Sequence, residues 1–523
     1  MPITPTFPGI YIEELPSSAH AITAAPTSIA VFVGYTHPFK TDPANWGKAV
    51  RLFSFTDYER QFGGLYTSGA IESHVAHAVN QFFLNGGADT YVVGLQPSYF
   101  DTTTSPLTNK GFVSPATVQL GSIVFTAREP IDLVPMTVTI NNVTTTKTPA
   151  DTADVLVSYG SRAETFRKIN LIPTDANFIE TRINDVSQLV TVSPLVPPYT
   201  PPFVAISQVA LGYPAGAPDP AWTTFSEDDF APVFQQDSSL DKVSIFNLLA
   251  IPGVADNSIW SEALAFCERK QAFVIMDPPP QDSADGDGTL HLPLMGDDIQ
   301  LSIVPRSTNG ALYFPYLRSN DPSTGDTLEL PPSGFVAGIY ARTDVNRGVW
   351  KAPAGLETTV LNTSGVAERG RRTDLRHGTL NPLGVNCLRD FPGIGTVVFG
   401  ARTLVTENPA FEQWRYVPVR RMALFLEQTL YRNLTWVVFE PNDDPLWVAI
   451  RTSIESFMLS LFHQGAFQGS TPSHAFQVKC DSSTTTQQDI DNGIVNIIVA
   501  FAPLKPAEFV IIKIAQLAGQ TQA

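Results

Sequence analysis

The stretch IAVFVGY (29–35) is an unbroken apolar run that ends in a glycine turn, and it reads as a buried strand. Working outward, IESHVAHAVNQFFLNGG (71–87) sets Ile71, Val75, Ala78, Val79 and Phe82 on one helical face, and Gly86-Gly87 closes the helix. DTYVVGL (89–95) follows as a second strand. Strand, helix and strand in that order make this part of the chain α/β.

The texture changes between 96 and 240, where Thr, Ser, Pro and short β-branched runs such as SIVFTA and MTVTINNVTTT predict a β-rich inserted domain. From 241 to 330 the α/β pattern returns: VSIFNLLAIPG is a strand and turn, SIWSEALAFCERKQ a helix, and AFVIMDPPP a strand with a proline stop. Beyond 330, SGFVAGIYARTDV and VRRMALFLEQTLYRN suit helices, GTVVFGARTL a strand pair or a strand with a turn, and TWVVFE a strand. In NDDPLWVAIRTSIESFMLSLFHQGAF, Asp443 or Asp444 caps a helix, Pro445 fits its first turn and Gly465 stops it. Trp447, Ile450, Ile454, Phe457, Met458 and Leu461 form one apolar stripe along that helix. The fold class expected is multidomain α/β (α+β).

Two runs lie near the ends without an obvious partner. FPGIYIEEL (7–15) is a strand with no second strand in hairpin reach, and EFVIIKIAQL (508–517) is its counterpart. An unpaired strand offers its backbone to another chain.

Composition narrows the function. A chain of 523 residues predicts two to four domains. A formal charge of −17 argues against nonspecific binding to nucleic acid or to an anionic membrane. The opening MPITPTFPGI lacks the basic and apolar regions of a signal peptide, and no apolar run approaches the ~20 residues that span a bilayer. The expectation is a protein made and folded in the cytoplasm. Cys267, Cys387 and Cys480 are far apart and odd in number, which predicts buried thiols rather than a disulfide framework or a zinc site.

PGIGTVVFG (392–400) misses G-x-G-x-x-G spacing because Val398 stands where the third glycine belongs, so it reads as a structural turn. His74 and His77, with Glu72, have a workable metal spacing but no third cluster, and read as a surface or half-buried pair. DSADGDG (282–288) lacks the ligand alternation of a calcium loop. There is no G-x-S-x-G elbow. No catalytic, cofactor-binding or metal residue is nominated. One feature stands out: from Arg342 to Arg432 thirteen Lys and Arg face eight Asp and Glu, in an otherwise acidic chain. Arg402, Arg415, Arg420 and Arg421 are the candidate donors of a charged interface between copies, with internal salt bridges as the competing expectation.

FPGIYIEE, FVGYT and QFFLNGGADTYVVGL near the start resemble contractile tail sheath proteins. So do PPSGFVAGIYARTDVNRGVWKAPAG, NPLGVNCLRDFPGIGTVVFGARTL, RYVPVRRMALFLEQTL, WVVFEPNDDPLW and PAEFVIIKI, which follow in the family's order. The resemblance implies a structural, non-enzymatic subunit of a phage tail, tailocin or extracellular contractile injection system. Such a subunit polymerises helically around an inner tube protein, is held by baseplate and terminal cap proteins, and shortens to drive the tube through a target envelope; sheath paralogues are further partners. It needs no cofactor, nucleic acid or membrane insertion. It is assembled in the bacterial cytoplasm and ends in a virion tail or a released particle.

The resemblance also implies an organisation: an N-terminal arm (1–20), a sheath core from 21–95 and 331–507, the β-rich insertion (96–240), a middle domain of subtilisin-like shape (241–330) and a C-terminal arm (508–523). The arms add strands to neighbouring subunits through Ile10, Tyr11, Ile12, Glu13 and Glu14 at one end, and Phe509, Val510, Ile511, Ile512, Lys513 and Ile514 at the other. The helix from 445 to 464 is expected to pack in the core, with Arg451, Glu455 and His463 as a candidate tube-facing set. The competing readings are a hydrolase on the 241–330 unit and a capsid or surface-array protein.

Overall fold

The computed structural model describes residues 20–71, 73–144, 152–199, 203–214, 218–219, 221–278, 304–322, 325–367, 374–405 and 409–512. The chain forms two compact units: Ser28–Arg342 with Pro353–Pro409, and Met1–Thr27 with Thr343–Ala352 and Ala410–Ala523.

The larger unit is built on an eight-stranded sheet. Its strands are β1 (Ala30–Tyr35), β2 (Ala49–Leu52), β3 (Thr90–Leu95), β4 (Leu248–Ala250), β5 (Phe273–Met276), β6 (Gly310–Phe314), β7 (Val385–Phe391) and β8 (Gly395–Val398). The order is β2-β3-β1-β4-β5-β6-β7-β8, parallel except for β2 and β8 at the two ends. Every residue of β1 is buried, as an apolar strand covered on both faces requires. Its helices α1 (Val75–Leu84), α2 (Asn257–Lys270) and the N-terminal part of α3 (Ser333–Arg347) follow β1, β4 and β6 in the crossovers of a doubly wound sheet.

The sheet cuts across the expected partition. β1 pairs with β3 on one side and β4 on the other, Ala30 opposite both Thr90 and Leu248. Residues 30–95 therefore share a core with 248–314 and 385–398 rather than standing apart from the middle segment. A strand buried on both faces needs two neighbours, and its sequence does not say which they are.

α1 starts at Val75 rather than Ile71, and Val75, Ala78, Val79 and Phe82 are buried as the helical pattern requires. α3 lies against it at backbone distance. A Cβ on Gly334 would stand 2.5 Å from the Ala78 carbonyl oxygen, and one on Gly338 2.6 Å from that of Phe82. The two glycines, one helical turn apart, are what lets the helices meet this closely.

The insertion is β-rich, as expected. A four-stranded sheet (162–170, 152–159, 136–144, 206–210) and a three-stranded sheet (190–194, 123–127, 117–120) enclose one core with Phe125, Val138, Val155 and Val157 fully buried. Its C-terminal border comes before 240, because Phe230, Val233, Phe234 and Leu240 pack into the core of the main sheet. Two carboxylates fasten it to the body. Glu129, 2% exposed, meets His37 Nε2 at 3.1 Å, Lys40 Nζ at 2.6 Å and Arg162 at 3.2 Å. Asp132 accepts from Ser68 Oγ at 3.0 Å and the Ala70 amide at 2.7 Å. Burial pushes the His37 imidazole below its usual range, whereas Glu129, against its own burial, is pulled down to about 2 by His37 and Lys40.

The smaller unit holds α4 (Val417–Asn433), α5 (Asp444–His463) and a ribbon of β9 (Phe476–Lys479) and β10 (Ile498–Phe501). The Asp443 side chain caps α5 by accepting from the Leu446 amide, and Pro445 stands in the first turn. The stripe Trp447, Ile450, Ile454, Phe457, Met458 and Leu461 is buried throughout and packs on Met422, Phe425 and Leu426 of α4. One expectation fails here. TWVVFE is not a strand: Thr435–Val437 is a 3-10 turn, followed by Phe439 at φ +72°. The run closes into this turn ahead of Pro441 and the capped start of α5.

Candidate assembly surfaces

In a doubly wound sheet a ligand crevice opens at the carboxyl ends of the strands where the order reverses, here β1 and β4. The protein fills this place with its own side chains. Ser73 Oγ donates to the Tyr35 carbonyl oxygen, and Tyr35 OH donates to Asp229 at 2.7 Å. The His74 ring lies over Gly253, where an added Cβ would come within 2.3 Å of it. At the end of β5, buried Asp277 accepts from the Ser333 amide at 2.7 Å, the Ser333 hydroxyl at 2.5 Å and the Gly253 amide at 3.0 Å. Burial outweighs those donors and pushes the Asp277 carboxyl up to about 7. These contacts tie α1 and α3 to the sheet, and Ser333 is engaged with a carboxylate rather than facing solvent as a nucleophile.

His74 and His77 are more enclosed than a surface pair. His77 is 7% exposed, and burial lowers both imidazoles, His74 to about 4. Glu72 lies outside the described residues, as do DSADGDG (282–288) and the arm residues Ile10, Tyr11, Ile12, Glu13, Glu14, Lys513 and Ile514.

The four arginines divide. Arg421, 4% exposed, makes a bidentate pair with Asp344 at 2.6 and 2.9 Å and donates to the Thr27 carbonyl oxygen at 2.9 Å. Arg402, 8% exposed, donates to the Asn381 carbonyl oxygen. Both have internal partners in this chain, the arrangement that the competing expectation of internal salt bridges and hydrogen bonds describes. Arg415 pairs with Glu412 at 3.2 Å, and Arg420 meets Glu427 at 3.3 Å and stacks over Trp414. These two keep partial exposure and remain candidates.

On α5, Glu455 and His463 are exposed, while Arg451 is half-buried and reaches the Cys480 carbonyl oxygen at 3.3 Å. All three lie off the buried stripe. The ribbon of β9 and β10 pairs Phe476 with Phe501 and Lys479 with Ile498, and among the described residues it gains no third strand. Phe509, Val510, Ile511 and Ile512 form no strand and are 72–82% exposed, four adjacent apolar side chains in solvent.

Sequence reasoning missed one surface. Val438 is 62% exposed and Phe439 stands fully in solvent. Their composition suggested burial; only the turn that precedes them turns them outward.

Two family models match the chain: phage tail sheath protein central domain over 239–404 and phage tail sheath C-terminal domain over 410–516, together more than half of its length. The tail sheath protein of Vibrio phage KVP40 is 25% identical over 213 residues, 40% of this chain and 29% of that protein. A putative prophage major tail sheath protein of Pseudomonas aeruginosa is 26% identical over 279 residues, 51% of this chain and 65% of that protein. The chain thus matches under a third of the length of the Vibrio phage relative. Among solved structures, the sheath of an extracellular contractile injection system, PVC, in its contracted state aligns at TM-score 0.58 and 22% identity over 98% of each chain. The contracted helical sheath of the anti-feeding prophage aligns at TM-score 0.56 and 24% identity, covering 98% of this chain and 100% of the other. Those likenesses carry the fold; the family models and the tail sheath relatives carry the kinship, and the chain belongs to the phage tail sheath protein family.

Proposed function

We propose that the chain is the sheath subunit of a contractile tail or injection machine, polymerising helically around an inner tube and contracting to drive that tube through a target envelope. The observation that carries this reading is the presence together, in a tail sheath family member, of a ribbon that has two strands among the described residues and of the exposed apolar run Phe509–Ile512. A strand of one copy laid on the ribbon of the next satisfies backbone groups and covers those side chains. Copies joined head to tail this way build an open helical array. The segments 7–15 and 508–514 act as the tethers, and they hold while the folded bodies re-pack.

The proposal extends to partners. Relatives in baseplate and helical sheath assemblies support contact with further copies and with a baseplate. The inner tube protein and a terminal cap complete the set, with Glu455 and His463 on the outer face of α5 as tube contacts. Arg415 and Arg420 supply charged contacts between copies. Assembly takes place in the bacterial cytoplasm, before the particle is released. No comparison favours a hydrolase.

Negative-stain electron microscopy of the purified full chain, beside a version without residues 1–15 and 508–523, tests this. Hollow tubes from the first and dispersed subunits from the second are expected. Tubes from both refute the tethers, and a full chain that stays dispersed even with tube and baseplate proteins refutes the sheath reading.

A further inference from the structure

A cleft of about 900 Å³ lies within the larger unit, where the insertion meets the body. The body lines it with Lys40, Glu59 and Asn80, and the insertion with Arg128, Glu129 and Arg162. Three cations thus stand against two carboxylates, a positive surplus in a chain whose total charge is −17. Phe55 and Leu84, the latter 46% exposed, add apolar surface. A hollow of this volume, partly apolar and with a few convergent polar groups, is of the size that encloses a small organic molecule.

The polar groups are not all satisfied. Lys40 Nζ and Arg162 share one carboxylate oxygen, Glu129 Oε1, at 2.6 and 3.2 Å. Arg128 has no carboxylate partner among the described residues. Its Nη2 donates to the Asn184 carbonyl oxygen at 2.9 Å, its Nε is buried without a partner, and its Nη1 makes no hydrogen bond. Asn80, on α1, is 8% exposed, and its side-chain amide has no hydrogen-bond partner among the described residues. Leaving such a group unpaired out of water costs free energy, and it calls for a partner from outside the chain.

We propose that this cleft binds a small organic anion, whose phosphate or carboxylate group accepts from Arg128 and from the Asn80 amide. Glu129 is committed to Lys40 and Arg162, so Arg128 is the cation left over. A guanidinium with unused donors suits an oxyanion, and the two neighbouring cations deepen the positive potential around it. Arg128 comes from the insertion and Asn80 from the body, so the bound anion bridges them and braces the insertion. The site goes beyond the sheath reading and does not depend on it.

Isothermal titration calorimetry of the full chain with inorganic phosphate and, separately, with citrate, at constant ionic strength, tests this. Saturable binding of at least one is expected, and the tighter of the two tells a phosphate-bearing from a carboxylate-bearing ligand. Arg128→Gln weakens that binding at least about tenfold, the scale of one charge-assisted hydrogen bond. Asn80→Leu weakens it as well. Glu59→Gln tightens it, because a like charge leaves the cleft; the Glu59 side chain is exposed and has no partner among the described residues, so this variant keeps the fold and decides the matter even where Arg128→Gln disturbs the insertion. Absence of binding by either anion at millimolar concentration, parental affinity in a folded Arg128→Gln protein, or a Glu59→Gln protein that binds no more tightly than the parent overturns the site. Each of these outcomes leaves the sheath reading intact.

Discussion

Charge reversal at Arg421 separates an internal role from an interface role. In the structure the guanidinium and the Asp344 carboxylate are 3% and 2% exposed and joined by two hydrogen bonds, and a third holds the Thr27 carbonyl oxygen. Removing one partner strands the other charge in the interior, which costs about 3–5 kcal/mol. Asp344→Asn and Arg421→Glu are therefore expected to lower stability by at least that much, the second by more because two carboxylates then face each other. Replacing both partners, as Arg421→Met with Asp344→Leu, leaves no orphan charge and returns stability to within about 1–2 kcal/mol of the parent. Urea denaturation followed by tryptophan fluorescence reads this directly, since Trp350, Trp414, Trp436 and Trp447 all lie in the unit that holds the pair. The same reversal at Arg415 or Arg420, whose partners Glu412 and Glu427 are 64% and 41% exposed, costs under about 1 kcal/mol. An Asp344→Asn protein within about 0.5 kcal/mol of the parent, or a double variant as unstable as the worse single one, refutes the reasoning.

Gly334→Ala forces a methyl group against the Ala78 backbone, so thermal unfolding should show a loss of about 1–3 kcal/mol, where an uncrowded helical glycine would have gained stability. Asp277 adds a pH dependence. Its carboxyl, raised to about 7 in the folded chain, holds a proton that the unfolded chain releases near pH 4, so its contribution is present at low pH and is lost as pH rises through 7. The stability advantage of the parent over Asp277→Asn should accordingly shrink by about 2–3 kcal/mol between pH 5 and pH 8; an advantage that grows would place the carboxylate as ionised throughout. His74, lowered to about 4, acts in the opposite sense, its stabilising neutral form being lost as pH falls toward 4. The three thiols are buried and burial raises those of Cys267 and Cys480, so a thiol reagent should react with the native chain only at the rate of unfolding.

Helices were the most legible part of the sequence. The stripe of α5 and its Asp443 cap follow from 3.6-residue spacing and side-chain chemistry, both local properties. The strand β1 was legible as buried but not as the neighbour of β4, because pairing across some two hundred residues leaves no local mark. The arginine-rich stretch showed a charge balance and not its direction: Arg420 and Arg421 are adjacent, and one helical step turns the second inward onto Asp344. Phe439 inverted the usual inference, since an apolar run that reads as a strand becomes an exposed knob when a turn precedes it. The family resemblance, by contrast, rested on ordered motifs that need no knowledge of pairing.

The most direct measurement is a cryo-electron microscopy reconstruction of the assembled polymer, resolved well enough to trace the ribbon of β9 and β10. The account predicts that the ribbon is extended by backbone strands belonging to other copies, traced to residues near 7–15 and 508–514 of those chains. A polymer whose ribbon remains two-stranded, with both termini folded back on their own subunit, would contradict it.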